Sequence, residues 1–211
     1  MNVPVRSITT LIFDWDGTLA DSARRGFTAF QKSFAELGVA FSRAVFDATY
    51  SPNWYTMYEA LGLARERWQM ADELWLRHYG EEQVTLIDGA GEVISRLQEK
   101  GYRLGVVSSG SQRRIAREIS ETGLAFDVVV CNEDVVNKKP HPEGLEKAMR
   151  ALDCRGESCC YIGDTPEDIL MGKRARVMTV GVRSDYPSSR NLRAARPDLY
   201  LEAISELAEY F

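Results

Sequence analysis

Asp14 and Asp16 stand two residues apart at the end of a short apolar run, in LIFDWDGT, and are followed by a glycine turn and Thr18. Side chains two apart on a strand share a face, so both carboxylates can aim at one point beyond the strand's carboxyl edge. Adjacent negative charges repel unless a cation lies between them or one keeps its proton. The first outcome supplies hard oxygen ligands for Mg²⁺, and the second a carboxylic acid able to donate a proton near neutral pH. Three more sets carry chemistry. Ser108, Ser109 and Gly110 follow the run YRLGVV, and lead into a helix expected near Gln112, an arrangement that offers backbone N–H groups to an anion. NKKPHP places Lys138 and Lys139 in a proline-stiffened loop, and GDTPED supplies Asp164 and, four residues on, Asp168. Thr165, Pro166 and Asp168 also fit an N-cap, a first-turn proline and a third-position acid, whereas Asp164 precedes that cap as a third carboxylate.

The elements that must position these groups follow from hydrophobic period. TTLIF, YRLGVV, DVVVC, CCYI and VMTVGV read as strands buried on both faces. Between them run helical patterns, such as Ala90, Val93, Ile94 and Leu97, and Leu145, Ala148, Met149 and Leu152. A last strand at Leu199 to Leu201 and a helix through Ile204 and Leu207 complete the series. Strand and helix alternation predicts an α/β fold with right-handed crossovers and a parallel, Rossmann-like sheet. From about Asp21 to Leu86 there is no strand run. Phe27, Phe30, Phe34 and Leu37, then Trp54, Met57, Tyr58 and Leu61, then Trp68, Ala71 and Trp75 fall at helical spacing. The expected division is a core of residues 1–20 and 88–211 with a helical bundle, 21–87, inserted after the first strand. In an open parallel sheet ligands bind beyond the carboxyl ends of the strands, where the acid pair, the hydroxyls, the lysines and the further acids all fall.

A chain of 211 residues is long enough for a sizeable core, and a net charge of −5 gives no broad basic footprint for nucleic acid or an anionic membrane. No apolar run approaches a membrane span, and Asp14 and Asp16 interrupt the N-terminal apolar stretch, arguing against a signal peptide and for a cytoplasmic protein. Cys131, Cys154, Cys159 and Cys160 lack metal-ligand spacing and read as reduced core residues. With only His78 and His141 present, a multi-histidine metal site is excluded, and both read as packing or loop residues.

The ordered set DWDGT, Ser108 after an apolar strand, Lys139 in KKPHP, and GDTPED resembles the four motifs of the haloacid dehalogenase superfamily of phosphohydrolases, over essentially the whole chain. The insertion is similar to the helical cap of its first cap class, and VGVRSDYPSS and RPDLYLEAISEL read like the tail of phosphoglycolate phosphatase-like members. The resemblance implies a phosphatase acting on a small phosphorylated metabolite. Asp14 would be the nucleophile, Asp16 the general acid and base with a pKa raised enough to hold a proton, and Mg²⁺ would sit on Asp14, the main-chain carbonyl of Asp16, and Asp164. Lys139, Ser108 and the Ser109 amide would hold the phosphoryl group, Thr18 would order the nucleophile loop, and Asp168 would orient Lys139 from behind. The bundle tip, Ser51 to Tyr55 with Asn53 and Tyr55, is the expected specificity loop. Phosphoglycolate is the substrate the resemblance implies, with pyrophosphate, sugar phosphates and nucleotides also compatible. A dehalogenase is disfavoured by Asp16 and Asp164, a phosphomutase by the lack of a basic His-Lys pair in the cap. A phospho-aspartate switch predicts no insert, and a non-catalytic binding module predicts loss of Asp14, Asp16 or Lys139.

Overall fold

The computed structural model describes residues 7–211. Six parallel strands run in the order β3-β2-β1-β4-β5-β6: β1 (Thr10–Phe13), β2 (Arg103–Val107), β3 (Val128–Val130), β4 (Cys159–Gly163), β5 (Met178–Val182) and β6 (Leu199–Leu201). The chain leaves β1 for β2 on one side and returns to β4 on the other. The strand order therefore reverses at β1, and the crevice at its carboxyl end is the expected ligand position.

Alternation along β1 assigns the two faces. Leu11 and Phe13 point to the side of Ala90, Ile94 and Leu97 of α5 (Ala90–Glu99) and Ile115 of α6 (Gln112–Thr122). Ile12 points to the other, with Leu145 and Ala148 of α7 (Glu143–Ala151) and Met171 of α8 (Pro166–Arg174). The central strands are buried on both faces as the sequence predicts, but the edges are not: Val129 is 37% exposed in β3, the outermost strand on that side among the described residues. Two boundaries differ from expectation. Cys131 lies just beyond β3, and Ile204 to Glu209 forms 3-10 turns rather than an α-helix. Its two apolar anchors, Ile204 and Leu207, are three apart, which a 3-10 stretch satisfies equally well.

The inserted segment forms α1 (Ala23–Glu36), α2 (Arg43–Thr49), α3 (Trp54–Ala60) and α4 (Trp68–Tyr79) around its own core of Phe30, Phe34, Phe46, Met57, Tyr58 and Trp75. This is the helical cap on a Rossmann-like core. Its rings pack edge-on and tilted, with Phe30 5.4 Å from Trp54 and 5.5 Å from Trp75, the geometry that aromatic quadrupoles favour. Among the described residues no helix is long and apolar enough to cross a membrane. The four cysteines are free thiols, three of them buried and Cys154 half-buried.

Candidate active site

The Asp14 N–H donates to the Ile162 carbonyl at 2.8 Å, extending the β1–β4 ladder by one residue and fixing Asp14 at the edge between the two strands. Lys139 reaches in from the loop after β3, its Nζ donating to Asp14 Oδ1 at 2.7 Å and Asp168 Oδ1 at 2.8 Å. Asp168 Oδ1 also accepts the Tyr161 hydroxyl, while Oδ2 accepts the Thr165 N–H and hydroxyl. Asp168 therefore caps α8 with one oxygen and holds the lysine with the other. Asp164 follows β4 and is fully buried; its Oδ2 accepts the Ser184 hydroxyl at 2.6 Å, and its Oδ1 has no protein partner. Gly17 is what lets the first loop pass over it: φ is +77°, and a Cβ there would lie 2.4 Å from Asp164 Oδ2.

Asp14, Asp164 and Asp168 each bring a carboxylate oxygen within 4.8 Å of the others, with Lys139 as the cation paired to the group. Burial and the neighbouring acids push Asp164 well above its ordinary pKa. Burial raises Asp14 to about 7, against the pull of Lys139. Lys139 is itself held above its ordinary value, because the two carboxylates outweigh the effect of burial. One lysine cannot neutralise three buried carboxylates. A divalent cation can, and the unpartnered Asp164 Oδ1 beside Asp14 is the hard oxygen donor it needs. Of the expected ligand set, Asp14 and Asp164 are together; the Asp16 side chain lies outside the cluster, so only its main chain remains for that role.

The Asp16 carboxyl faces Arg114 of α6, which donates from Nη1 to Oδ1 at 3.0 Å and from Nη2 to Oδ2. Burial alone would raise its pKa, but Arg114's charge and hydrogen bonds, with smaller help from Ser22 and Arg25, hold it below the usual carboxylate value. This corrects the expectation of a protonated Asp16: the sequence reading had placed no cation beside it. Arg114 belongs to a larger buried array. Its Nη1 also reaches Glu118 Oε2, which accepts from Trp15 Nε1 at 2.8 Å, and Glu118 Oε1 accepts from Arg25 of α1. Arg25 lies 3.6 Å over the Tyr79 ring. Cap and core are thus joined through the residue that sets the charge of Asp16. Arg114→Gln is expected to raise the Asp16 pKa, moving the alkaline limb of kcat/KM, where the acid loses its proton, to higher pH, and to cost about 3–5 kcal/mol by leaving buried carboxylates underpaired. A pH-rate profile with denaturant titrations checks both effects; an unmoved limb would separate Arg114 from Asp16.

The carboxylates open into a cavity of about 760 Å³ between core and cap, whose wall includes Asp14, Asp16, Lys139, Asp164 and Asp168. Ser108, Ser109, Asn53 and Tyr55 line it. Ser108 Oγ accepts the Gly110 N–H at 3.0 Å, and Asn53 Oδ1 accepts the Tyr55 N–H, starting α3. Thr18 is fully buried within the loop after β1, outside the cavity wall, and its hydroxyl has no protein partner. His78 bonds Glu36 and Glu81 on the cap surface, and His141 Nδ1 accepts the Glu143 N–H, both structural. Arg114, Glu118, Ser184 and Tyr186 were missed from sequence. Arg114 and Glu118 did leave a signal, two charges four apart on the same α6 stripe as buried Ile115. Tyr186 connects both halves by bonding Ser22 at 2.9 Å and stacking on Tyr50 of the cap at 5.0 Å.

A six-stranded parallel sheet with a helical cap, and acids, a lysine and serines gathered at one strand edge, define a capped Rossmann-like α/β architecture with an acidic site at its switch point. The family model for haloacid dehalogenase-like hydrolases matches residues 11–182, and the chain belongs to that family. It is 34% identical over 206 residues to pyrophosphatase PpaX of Listeria monocytogenes, covering 95% of this chain and 94% of that protein. Solved structures share the fold: CbbY from Rhodobacter sphaeroides in complex with phosphate (TM-score 0.81, 24% identity, 95% of this chain and 96% of that one). A second is a predicted phosphoglycolate phosphatase from Haemophilus somnus (TM-score 0.83, 16% identity, 96% and 97%).

Proposed function

We propose that this chain is a Mg²⁺-dependent phosphatase that transfers the phosphoryl group of a small phosphorylated metabolite to Asp14 and then to water. The observation that carries this reading is the meeting of Asp14, Lys139, Asp164 and Asp168 on the wall of one cavity between core and cap. Uncatalysed phosphate monoester hydrolysis is among the slowest biological reactions, so positioning and charge neutralisation must supply most of the rate.

In the first step an Asp14 carboxylate oxygen bonds to phosphorus as the bond to the leaving oxygen breaks, and that oxygen takes a proton from Asp16. Arg114 favours the ionised form of Asp16 in the free protein, so Asp16 must gain this proton as the complex forms. The negative charge of an arriving phosphate raises its pKa and draws on the same Arg114 that holds it down. In the second step water attacks phosphorus, gives its proton to Asp16, and the bond to Asp14 breaks to release inorganic phosphate. Lys139 spans Asp14 and Asp168, and with the Ser108 hydroxyl and the Ser109 amide it stabilises charge on the transferring group. Bound Mg²⁺, held by Asp14, Asp164 and the main chain of Asp16, would neutralise the clustered charge and help orient the phosphoryl oxygens. The cap excludes water from the first step and reads the leaving group, with 21–87 as cap and 1–20 plus 88–211 as core.

The Listeria relative brings pyrophosphate forward as a second substrate; the chemistry at phosphorus is the same and only the leaving group differs. The test is turnover of phosphate esters and pyrophosphate with Mg²⁺ and with chelator, together with thermal melting. Chelation is expected to abolish turnover, and Mg²⁺ to raise the melting temperature of wild type but not of Asp164→Asn. Full activity in chelator, or equal Mg²⁺ stabilisation of both proteins, would remove the metal assignment.

A further inference from the structure

The walls of the cavity differ in character, and the difference bears on the leaving group. Three cations border it, Lys139, Arg114 and Lys138. Lys139 belongs to Asp14 and Asp168, and Arg114 is shared between Asp16 and Glu118. Lys138 Nζ donates to the Asn132 and Val135 carbonyls at 2.6 and 2.7 Å, anchored to its own loop. The cap wall offers no cation at all among its lining residues. It presents instead Phe30, Tyr50, Trp54, Tyr55 and Trp75. Besides Asp16, which Arg114 pairs, the wall outside the carboxylate cluster carries two further acids, Asp72 from the cap and Glu167 from the core. Asp72 is tied to the Tyr55 and Tyr58 hydroxyls, and Glu167 Oε2 is buried with no partner.

A second phosphate or a carboxylate placed there would lose its water and meet carboxylates without gaining a free cation. A flat ring would meet what the wall supplies. Trp54 is half-buried and braced at 4.3 Å between ring centroids by the buried Trp75, whose plane is tilted 52° from it, so the Trp54 indole is held in place and loses little freedom when a ring is laid against it. A cavity of about 760 Å³ exceeds what a phosphoryl group and a two-carbon acid need. Glu167 can accept a hydrogen bond from a ring N–H or amine.

Resting on the phosphatase reading above, we propose that the preferred substrate is a phosphomonoester whose leaving group carries an uncharged planar ring with hydrogen-bond donors, such as a nucleobase or a pyridine derivative, rather than a second anion. The surface that selects it is the aromatic wall of α3 and α4, with Trp54 at its centre.

The test compares kcat/KM for adenosine and uridine monophosphates and pyridoxal phosphate with that for ribose phosphate, phosphoglycolate and pyrophosphate, all with Mg²⁺. At least one ester with a planar aromatic ring is expected to exceed all three compounds that lack one by about 10-fold or more, the scale of one ring stacked on an aromatic side chain. Trp54→Ala should lower the ratio of that ester to ribose phosphate by a similar factor, and Trp54→Phe should restore most of it. Thr56→Lys, at an exposed position on the same wall, places a free cation there and should raise kcat/KM on phosphoglycolate several-fold. Phosphoglycolate or pyrophosphate as the best substrate of the wild type would overturn the inference, as would equal losses on esters with and without a planar aromatic ring in Trp54→Ala. Absence of turnover on every compound would remove the phosphatase reading itself, and this inference with it.

Discussion

Asp14→Asn is expected to lower turnover by at least about 10⁴-fold, the scale at which removal of a nucleophile acts, while making the metal-free protein more stable above neutral pH. The first effect follows because an amide oxygen cannot form the phosphoryl bond. The second follows from proton binding. Burial holds the Asp14 pKa in the folded protein at about 7, against 3.8 for the free side chain. Between those values the folded state binds more protons than the unfolded chain, so stability falls as pH rises through the window and levels off above it. The full difference is on the order of 4 kcal/mol at 1.36 kcal/mol per pH unit. Asparagine does not titrate, and Lys139 keeps Asp168 as a partner. Denaturant titrations of chelated wild type and variant on either side of the window should therefore diverge, with the wild type losing more stability than the variant, in which Asp164 is the remaining buried acid that burial pushes upward. Parallel curves would contradict the buried, proton-holding state of Asp14. Asp16 does not confuse the measurement, because Arg114 moves its titration below the window.

The second large effect is expected at Lys139. Lys139→Met removes the cation paired with Asp14 and Asp168, leaving a cluster of three buried carboxylates. Loss of one partner from a buried ion pair costs about 3–5 kcal/mol, and loss of the positive charge nearest the transferring group should cost about 10³-fold in kcat. The two losses should separate when a divalent cation is added: Mg²⁺ can replace the missing positive charge and recover much of the stability, but it cannot act as the lysine ammonium toward the phosphoryl group. Lys139→Arg is not expected to rescue turnover. The Lys139 side chain is 8% exposed and holds two carboxylates with one compact ammonium, where a planar guanidinium has a different reach. Turnover retained by Lys139→Met, or stability that Mg²⁺ does not restore, would contradict the arrangement.

How far the sequence carried these conclusions depended on where each interaction lies along the chain. β1, β2, β4 and β5 were legible because buried strands of a parallel sheet are short, apolar and bounded by polar turns, and the residues at their carboxyl ends could be read off directly. The helical insert was legible from its aromatic spacing. The limits of β3 and the 3-10 character of Ile204 to Glu209 were not, since three-residue periodicity serves either helix and an edge strand frays where pairing ends. At the site, Asp14, Lys139, Asp164 and Asp168 were found through local motifs. Arg114 was not, because its significance comes from a partner 98 residues away in sequence, and only the fold brings α6 beside the loop after β1. The charge state of Asp16 was misread for the same reason: its local sequence shows acids and no base. Ser184 and Tyr186 lie beyond β5, where sequence gives a polar loop and the structure gives a hydroxyl on Asp164 and a ring against the cap. Thr18, chosen by its place in the motif, is buried within the loop and away from the cavity wall.

The central claim is that Asp14 captures the phosphoryl group, and acid quenching during turnover tests it most directly. Protein quenched with acid while hydrolysing a phosphate ester in Mg²⁺, then digested and examined by mass spectrometry, should carry a phosphoryl adduct on the peptide containing Asp14, and the adduct should be absent from Asp14→Asn. Turnover with the adduct on a different residue, or an Asp14→Asn variant that still hydrolyses the ester at the wild-type rate, would contradict it.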